Sequence, residues 1–354
     1  MKAVGKVPSL PVPSILLPSN PTNPHSDIKD GRGPASSLFI NESTPVPSPP
    51  PGHVLVKVHA FGLNRMDLLQ REGHYPLPPQ APSTLGVEFS GTVVSSNSGG
   101  DFKPDDQVFG LAYGGAYAEY ISVSSKMLLR KPDHLSFAQA AGVPETWITA
   151  TQALHFILGG CKGKSILWHA GASGVSIAGI QLSRLSGATK IFATVGTQEK
   201  REFVESKLGA TRAVNYKTED WVQEIMKETD GRGVDLIVDF VGGSYFQKNL
   251  DVVARDGGVC LLGLMGGAVT PDKVDIGKLL YKRARVEGST LRSRDEEYQG
   301  RLRDKLDEYL AQFESGELKI FIDTVLPWDK VIDAHKLLEE NKTMGKIICT
   351  ISEA

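Results

Sequence analysis

The stretch Ser165-Ile166-Leu167-Trp168-His169-Ala170-Gly171-Ala172-Ser173-Gly174-Val175-Ser176 passes from a short apolar run, through small residues, into a helical pattern. An apolar run of that length suits a strand buried on both faces. The small residues after it let a backbone approach a pyrophosphate. A helix starting there, over about 175–186, would aim unpaired N–H groups and its positive dipole end at the same anion. The motif falls short of a full GxGxxG, and a ligand-free strand-to-helix turn fits it as well. Its surroundings decide.

The pattern repeats downstream. A strand is predicted at Ile191–Val195, a helix near 199–208, a strand at Ala213–Asn215 and a helix near 218–229. Asp235–Phe240 reads as a strand running into Gly242-Gly243, and Val259–Leu264 as another running into Gly266-Gly267. Strand, turn and helix in repetition predict an α/β fold with a doubly wound parallel sheet. At the tip of the second strand stand Gly196, Thr197, Gln198, Glu199, Lys200 and Arg201. An NAD enzyme puts an acidic side chain on the ribose 2′-hydroxyl here, about 20 residues past the phosphate turn. A glycine at the tip with Lys200 and Arg201 behind it leaves room for a 2′-phosphate and neutralises it, which favours NADPH. Glu199 argues mildly the other way, and Lys200 and Arg201 also fit as solvated charges of a first helical turn.

Upstream the pattern is different. His53–Ala60 alternates with the strand period, and Val87–Val94, Gln107–Leu111 and Ala116–Val123 are further short strands between Gly, Asp and Ser turns. That spacing predicts an irregular antiparallel β unit. Before it, a short strand at Lys2-Ala3-Val4 leads into a Pro-rich segment over 5–50, irregular at least to 37. Sixteen of the 21 prolines precede Ser83, so no helix is expected there. A helix is expected over 146–158. Leu302, Leu306, Leu310 and Phe313 mark one face of a helix that Gly316 stops. The predicted organisation is residues 1–145 as a β-rich domain, 146–284 as the nucleotide domain, and 285–354 as a return to the first.

Composition narrows the function. With 354 residues, 40% hydrophobic and 23% charged, the chain has enough apolar material for two domains. A net charge of −2 provides no basic field for nucleic acid or an anionic membrane. No apolar run reaches the roughly 18 residues of a bilayer span, and neither end carries a recognisable targeting signal, so a cytoplasmic location is expected. Cys161, Cys260 and Cys349 are scattered, with no CxxC pair or Cys/His cluster, so no metal is expected.

Several stretches together resemble one family. They are Gly62-Leu63-Asn64-Arg65-Met66-Asp67-Leu68, Leu85-Gly86-Val87-Glu88-Phe89-Ser90-Gly91, Pro144 to Ala150, His169 to Leu182, Gly242 to Tyr245, Gly263 to Gly267, Leu291 to Asp295, and Ala334 to Ile347. In spacing and identity the chain from residue 50 on is similar to the zinc-free quinone oxidoreductases, the zeta-crystallin-like branch of the medium-chain dehydrogenase/reductase superfamily. The resemblance implies a GroES-like β-barrel catalytic domain, a Rossmann cofactor domain, a nicotinamide held between them, and a homodimer.

The resemblance also implies residue roles. Gly196, Lys200 and Tyr216 would grip the 2′-phosphate, and Ser173, Gly174 and Val175 would line the pyrophosphate. Thr149 would sit beside the nicotinamide, with Leu264, Met265 and Gly266 behind it. Gly242 and Lys346 join the cofactor set, and Arg292 contacts cofactor or, like Arg294, forms a surface pair. Asn64 and Tyr75 would face a quinone or enone, although a turn-supporting amide and a packing aromatic are the plainer readings of each. Zinc-dependent relatives carry ligands in the segments of Asn64 and Val87-Glu88, which this chain replaces. Ser176 stands where a glycine is usual, so weaker packing of the turn is expected. Hydride transfer to a quinone or conjugated carbonyl is the predicted activity. A 2-alkenal or enoyl-thioester reductase, or an NADPH-binding structural or sensing protein, are the alternatives.

Overall fold

A computed structural model describes residues 11–16, 32–271 and 273–351, with 11–16 and 42–45 described by backbone alone. The strand expected at Lys2-Ala3-Val4 lies outside them. The described chain forms two compact units: residues up to 145 with 295–307 and 322 onward, and residues 146–294 with 308–321.

Strands β1 (Pro11–Leu16) and β2 (Phe39–Pro45) pair antiparallel, with Ile15 opposite Ile40 and Leu16 opposite Phe39. The segment read as irregular thus contains a ribbon. Its apolar residue types favour strand, and a two-stranded ribbon has edges on which proline is tolerated. The first unit continues with β3 (His53–Gly62), helix α1 (Arg65–Glu72), β4 (Glu88–Ser96), β5 (Gln107–Leu111), β6 (Tyr120–Ser124), β7 (Leu128–Arg130) and α2 (Phe137–Ala141).

The second unit opens on α3 (Pro144–Thr151), which runs directly into a π-helical turn over Gln152–Ile157. Then come β8 (Ser165–Trp168), α4 (Gly174–Leu185), β9 (Lys190–Val195), α5 (Gln198–Leu208), β10 (Arg212–Asn215) and α6 (Trp221–Glu228). After them follow β11 (Val234–Asp239), α7 (Gly243–Val252), β12 (Val253–Leu261), α8 (Gly277–Lys282) and β13 (Arg285–Gly288). The chain ends with α9 (Glu296–Asp307), α10 (Leu310–Glu314), β14 (Ile322–Pro327), α11 (Val331–Glu339) and β15 (Lys346–Thr350).

All six strands β8–β13 are parallel, in the order β10-β9-β8-β11-β12-β13. That is the Rossmann order, with its switch point between β8 and β11. Leu167, Phe192, Val214, Ile225 and Ile237 form one buried cluster in this unit. Because β13 hydrogen-bonds to β12, residues 285–294 stay with this unit, and the expected return to the first unit at 285 comes later. The single helix read over 302–313 is two helices. Leu302 and Leu306 are buried in the first unit, whereas Phe313 packs edge-on against Trp147 in the second.

The sheet of the first unit has the order β14-β15-β3-β4-β5-β7, with β6 also paired to β3. A buried polar chain lies within this unit. Arg71 donates to His335 Nδ1 at 3.1 Å, so His335 carries its proton on Nε2 and donates to Tyr117 Oη at 3.3 Å. Tyr117 in turn donates to Asp67 Oδ2 at 3.3 Å. Burial and the Arg71 cation push His335 down to about 3 from its ordinary 6.5.

A histidine held neutral in the fold binds fewer protons than its unfolded counterpart between those two values. The stability it confers is complete above the unfolded value and is lost as pH falls toward the folded one. Unfolding by urea from pH 7 down to 4 should show a midpoint that falls, with His335 contributing up to about 1.4 kcal/mol per pH unit below about 6. His335→Gln should flatten that dependence, and a midpoint slope unchanged by the substitution would contradict the assignment.

Candidate active site

At the end of β8 the chain turns through Ala170, at a left-handed φ of 49°, into α4. Ser173 is the N-cap, and its hydroxyl accepts from the Ser176 backbone N–H. Ser173, Gly174 and Val175 are half-exposed in succession, as a phosphate-facing turn requires. Ser176, next in line, is fully buried and donates from Oγ to the His169 carbonyl at 2.7 Å. The expected loss of packing at Ser176 is therefore not found. The added hydroxyl ties the helix to the end of the strand instead.

Below the turn lies a network the sequence reading missed. His169 accepts from Thr194 Oγ1 at Nδ1 (3.0 Å) and donates from Nε2 to Asn249 Oδ1 (2.8 Å). This tautomer follows because the Asn249 amide nitrogen donates to Asp239 Oδ2 at 2.9 Å. Asp239 also accepts from the N–H groups of Val241 and Gly242, and so shapes the turn after β11. Burial lowers the His169 pKa and keeps the ring neutral. An Asp three residues before a glycine pair was the legible signal; nothing marks Asn249.

At the tip of β9, Gly196 and Tyr216 lie against each other. A Cβ placed on Gly196 would stand 2.8 Å from the Tyr216 hydroxyl, so glycine and tyrosine define one small space. Thr197 caps α5 by accepting from the Lys200 N–H, which fixes where the half-buried Lys200 side chain starts. Arg201 is not available as expected. Its guanidinium pairs with Glu205 at 3.3 Å and Glu219 at 3.5 Å. Beside Tyr216 a cavity of about 440 Å³ opens, lined also by Lys217, Trp221, Tyr245 and Lys248.

Of the other cofactor positions in this unit, Gly242 has a φ of 80° and no room for a Cβ against Leu264. Leu264 and Met265 are each about half exposed, Gly266 is exposed, and Arg292 is buried. Thr149 lies in α3, just before the π-helical turn. Its hydroxyl is buried with no hydrogen-bond partner, as expected of a group whose partner is a ligand. The turn, the Gly196–Tyr216 space and the orphaned Thr149 hydroxyl all fit a nicotinamide dinucleotide.

In the first unit the sheet order sets β15 and β4 on either side of β3. Ile348 is opposite Gly62 and Phe89 opposite Phe61, so Lys346 and Glu88 flank the residues that follow β3. Asn64 sits there, and its Nδ2 donates to Glu88 Oε1 at 2.9 Å. Lys346 Nζ lies 2.6 Å from the same oxygen and donates to Asn64 Oδ1 and the Leu63 carbonyl, both at 2.7 Å. Lys346, read as a cofactor residue, thus spends its three protons inside this unit. The set does not fit zinc, because the ammonium is itself the cation on Glu88 and Asn64. Among the described residues no group of three or more His, Cys, Asp or Glu side chains could hold a metal. Tyr75 is half-buried in the loop after α1.

A parallel sheet in Rossmann order with a strand-to-helix turn at its switch point, joined to a largely antiparallel β unit, is the two-unit plan of nicotinamide-type oxidoreductases. Residues 50–133 match the alcohol dehydrogenase GroES-like domain family, and residues 174–308 the zinc-binding dehydrogenase family. The chain is similar to the synaptic vesicle membrane protein VAT-1 homolog of Mus musculus, 32% identical over 318 residues covering 85% of this chain and 77% of that one. It is similar to the quinone oxidoreductase of Homo sapiens, 29% identical over 320 residues covering 88% and 93%. Its fold is similar to that of Escherichia coli quinone oxidoreductase complexed with NADPH. The TM-score is 0.81 and the identity 27%, over 96% of this chain and 99% of that one. The chain belongs to the medium-chain dehydrogenase/reductase superfamily, in its quinone oxidoreductase-like family, and is an oxidoreductase of the medium-chain kind.

Ser176→Ala should leave the fold intact but lower stability by about 1 kcal/mol, the worth of one buried hydrogen bond. Calorimetry would check this, and a variant as stable as the parent would show that the Ser176 hydroxyl does not tie the turn.

Proposed function

We propose that the protein is an NADPH-dependent reductase of quinones or related conjugated carbonyls, working without a metal. The observation that carries the cofactor choice is the tip of β9. Gly196 stands where an acidic residue would repel a phosphate, the Tyr216 hydroxyl abuts it, and Lys200 starts from the first turn of α5 beside it, while the adjoining cavity balances Lys217 and Lys248 against Glu219 and Asp220. When bound, NADPH supplies a hydride to the quinone ring or to the carbon β to a carbonyl.

The chain's residues bind and orient. Gly174 and Val175 offer backbone N–H groups to the pyrophosphate, beside the N-cap Ser173, whose own N–H goes to the Ala170 carbonyl. Thr149 offers its hydroxyl to the nicotinamide amide, with Leu264, Met265 and Gly266 as its apolar wall and Gly242 letting the backbone come close. Arg292 is assigned to the cofactor set, and Lys346 is not. Asn64 donates an amide N–H to the substrate oxygen that gains negative charge, and Tyr75 a phenolic O–H. A quinol oxygen is acidic enough to take its proton from water, so no dedicated general acid is required.

We further propose a homodimer. The edge strand β13 is next to an apolar face on which Ile276, Leu280 and Tyr281 are each more than 70% exposed. No helix among the described residues is long and apolar enough to cross a membrane, and a cytoplasmic location remains part of the proposal.

Lys200→Ala should raise the dissociation constant for NADPH by about tenfold or more and leave NADH within about twofold, measured by nucleotide fluorescence, since only the former has the 2′-phosphate to lose. Equal losses would remove the phosphate assignment. Initial rates of NADPH oxidation with an ortho-quinone, a para-quinone, a 2-alkenal and an enoyl thioester then separate the substrate classes. Turnover confined to the alkenal or thioester would replace the quinone reading, and tight NADPH binding without turnover would favour a sensing role. Leu280→Asp with Tyr281→Asp should halve the mass seen by light scattering, and a parent that is already monomeric would refute the dimer.

A further inference from the structure

Glu88 is wholly buried and Lys346 nearly so, while Asn64, which both of them touch, is half-buried. An ion pair withdrawn from water this completely is a costly feature, and pairing it with a half-buried amide calls for an explanation beyond stability. Each hydrogen-bonding group in the cluster can be followed. Lys346 has three protons and three acceptors: Glu88 Oε1, Leu63 O and Asn64 Oδ1. Glu88 accepts from Lys346 and Asn64 on Oε1, and from the Glu145 backbone N–H on Oε2 at 2.8 Å.

The Asn64 amide therefore has a cation against its oxygen and an anion against its nitrogen. Rotating the amide by half a turn would place Oδ1 against the carboxylate and Nδ2 against the ammonium, two repulsions in a site shielded from water. Only one orientation survives. In it, one Nδ2 proton goes to Glu88, and the second has no partner among the described residues.

We propose that Lys346 and Glu88 are positioning residues that lock the Asn64 amide in the donor orientation, presenting its second N–H to the substrate oxygen on which charge develops. This rests on the reading of Asn64 as that donor. The arrangement gives a preorganised hydrogen-bond donor, one that need not turn as the hydride arrives. Glutamine at 88 cannot reproduce it. A carboxamide must face either the Glu145 N–H or the Asn64 and Lys346 donors with its own NH₂ group.

The test is a double-mutant cycle on the full-length protein with its best quinone or enone substrate. Glu88→Gln and Lys346→Met should each lower kcat by about tenfold or more, in the range seen when an oxyanion donor is lost. NADPH affinity should stay within about twofold. Lys346→Arg, which keeps the cation, should recover most of the rate. In an Asn64→Ala background the same two substitutions should change kcat by less than about twofold, because the group they act through is gone.

Wild-type kcat in Glu88→Gln and Lys346→Met, or equal losses with and without Asn64, would overturn the positioning role. Wild-type kcat in Asn64→Ala alone would instead overturn the donor reading on which it rests. If Lys346→Met does not fold, the neutral pair Glu88→Gln with Lys346→Met takes its place. Independently of turnover, the Asn64 side-chain amide signals of the cofactor-free protein, assigned by their loss in Asn64→Asp, should show slow proton exchange that Glu88→Gln accelerates. Unchanged exchange would also count against the lock.

Discussion

A charged or hydrogen-bonding group taken out of water must find its partner inside the fold, and this chain places three such groups at positions that shape its surfaces. Glu88 is satisfied by Lys346, Asn64 and a backbone N–H; His169 by Thr194 and Asn249; His335 by Arg71 and Tyr117. Each network ties segments far apart in sequence, as Lys346 to Glu88 or His169 to Asn249. Each therefore fixes loops that no local propensity would fix. The lowered pKa of both histidines has the same origin: burial forbids the charge, and the neutral ring is kept by giving each nitrogen one role.

The parallel sheet of the second unit adds a geometric constraint. Its strands all point the same way, so the turns after β8, β9, β11 and β12 all emerge at one end. The phosphate turn, Gly196, Gly242 and Leu264–Gly266 belong to those turns. Their convergence is a consequence of topology, and the order β10-β9-β8-β11-β12-β13 sets the turn after β8 at the switch point. The networks under His169 and Asp239 then hold the turns in shape from below.

This explains what was legible in the sequence. Strands β8, β9 and β11 and helices α4 and α5 were readable because buried apolar runs and glycine turns are local signals. The turn residues Ser173, Gly174 and Val175 and the space at Gly196 followed from them. Lys346 was misplaced because its role depends on β15 lying beside β3, a pairing across most of the chain that a local pattern does not encode. Arg201 was misjudged for the same reason, since Glu219 reaches it from the far end of β10. The β1–β2 ribbon was overlooked because proline content hid two short runs of strand-forming residues. The helix read over 302–313 failed at Tyr309, where one amphipathic stripe serves two separate cores and periodicity cannot say which core each turn enters.

The substitution of a lysine–glutamate–asparagine cluster for metal ligands changes what chemistry the first unit can support. A divalent cation stabilises an alkoxide by direct coordination, which suits a poorly acidic alcohol oxygen. An ammonium already neutralised by Glu88 offers little net charge to a substrate, and its protons are all used. What remains, on the proposed reading, are two neutral donors, the second N–H of Asn64 and the Tyr75 hydroxyl. Neutral hydrogen bonds are too weak to carry an alkoxide, but they match an oxygen whose charge is spread through a conjugated system, as in a phenolate or enolate. If Asn64 is the proposed donor, the buried ion pair that orients it favours acceptors that delocalise the incoming electron pair over isolated carbonyls.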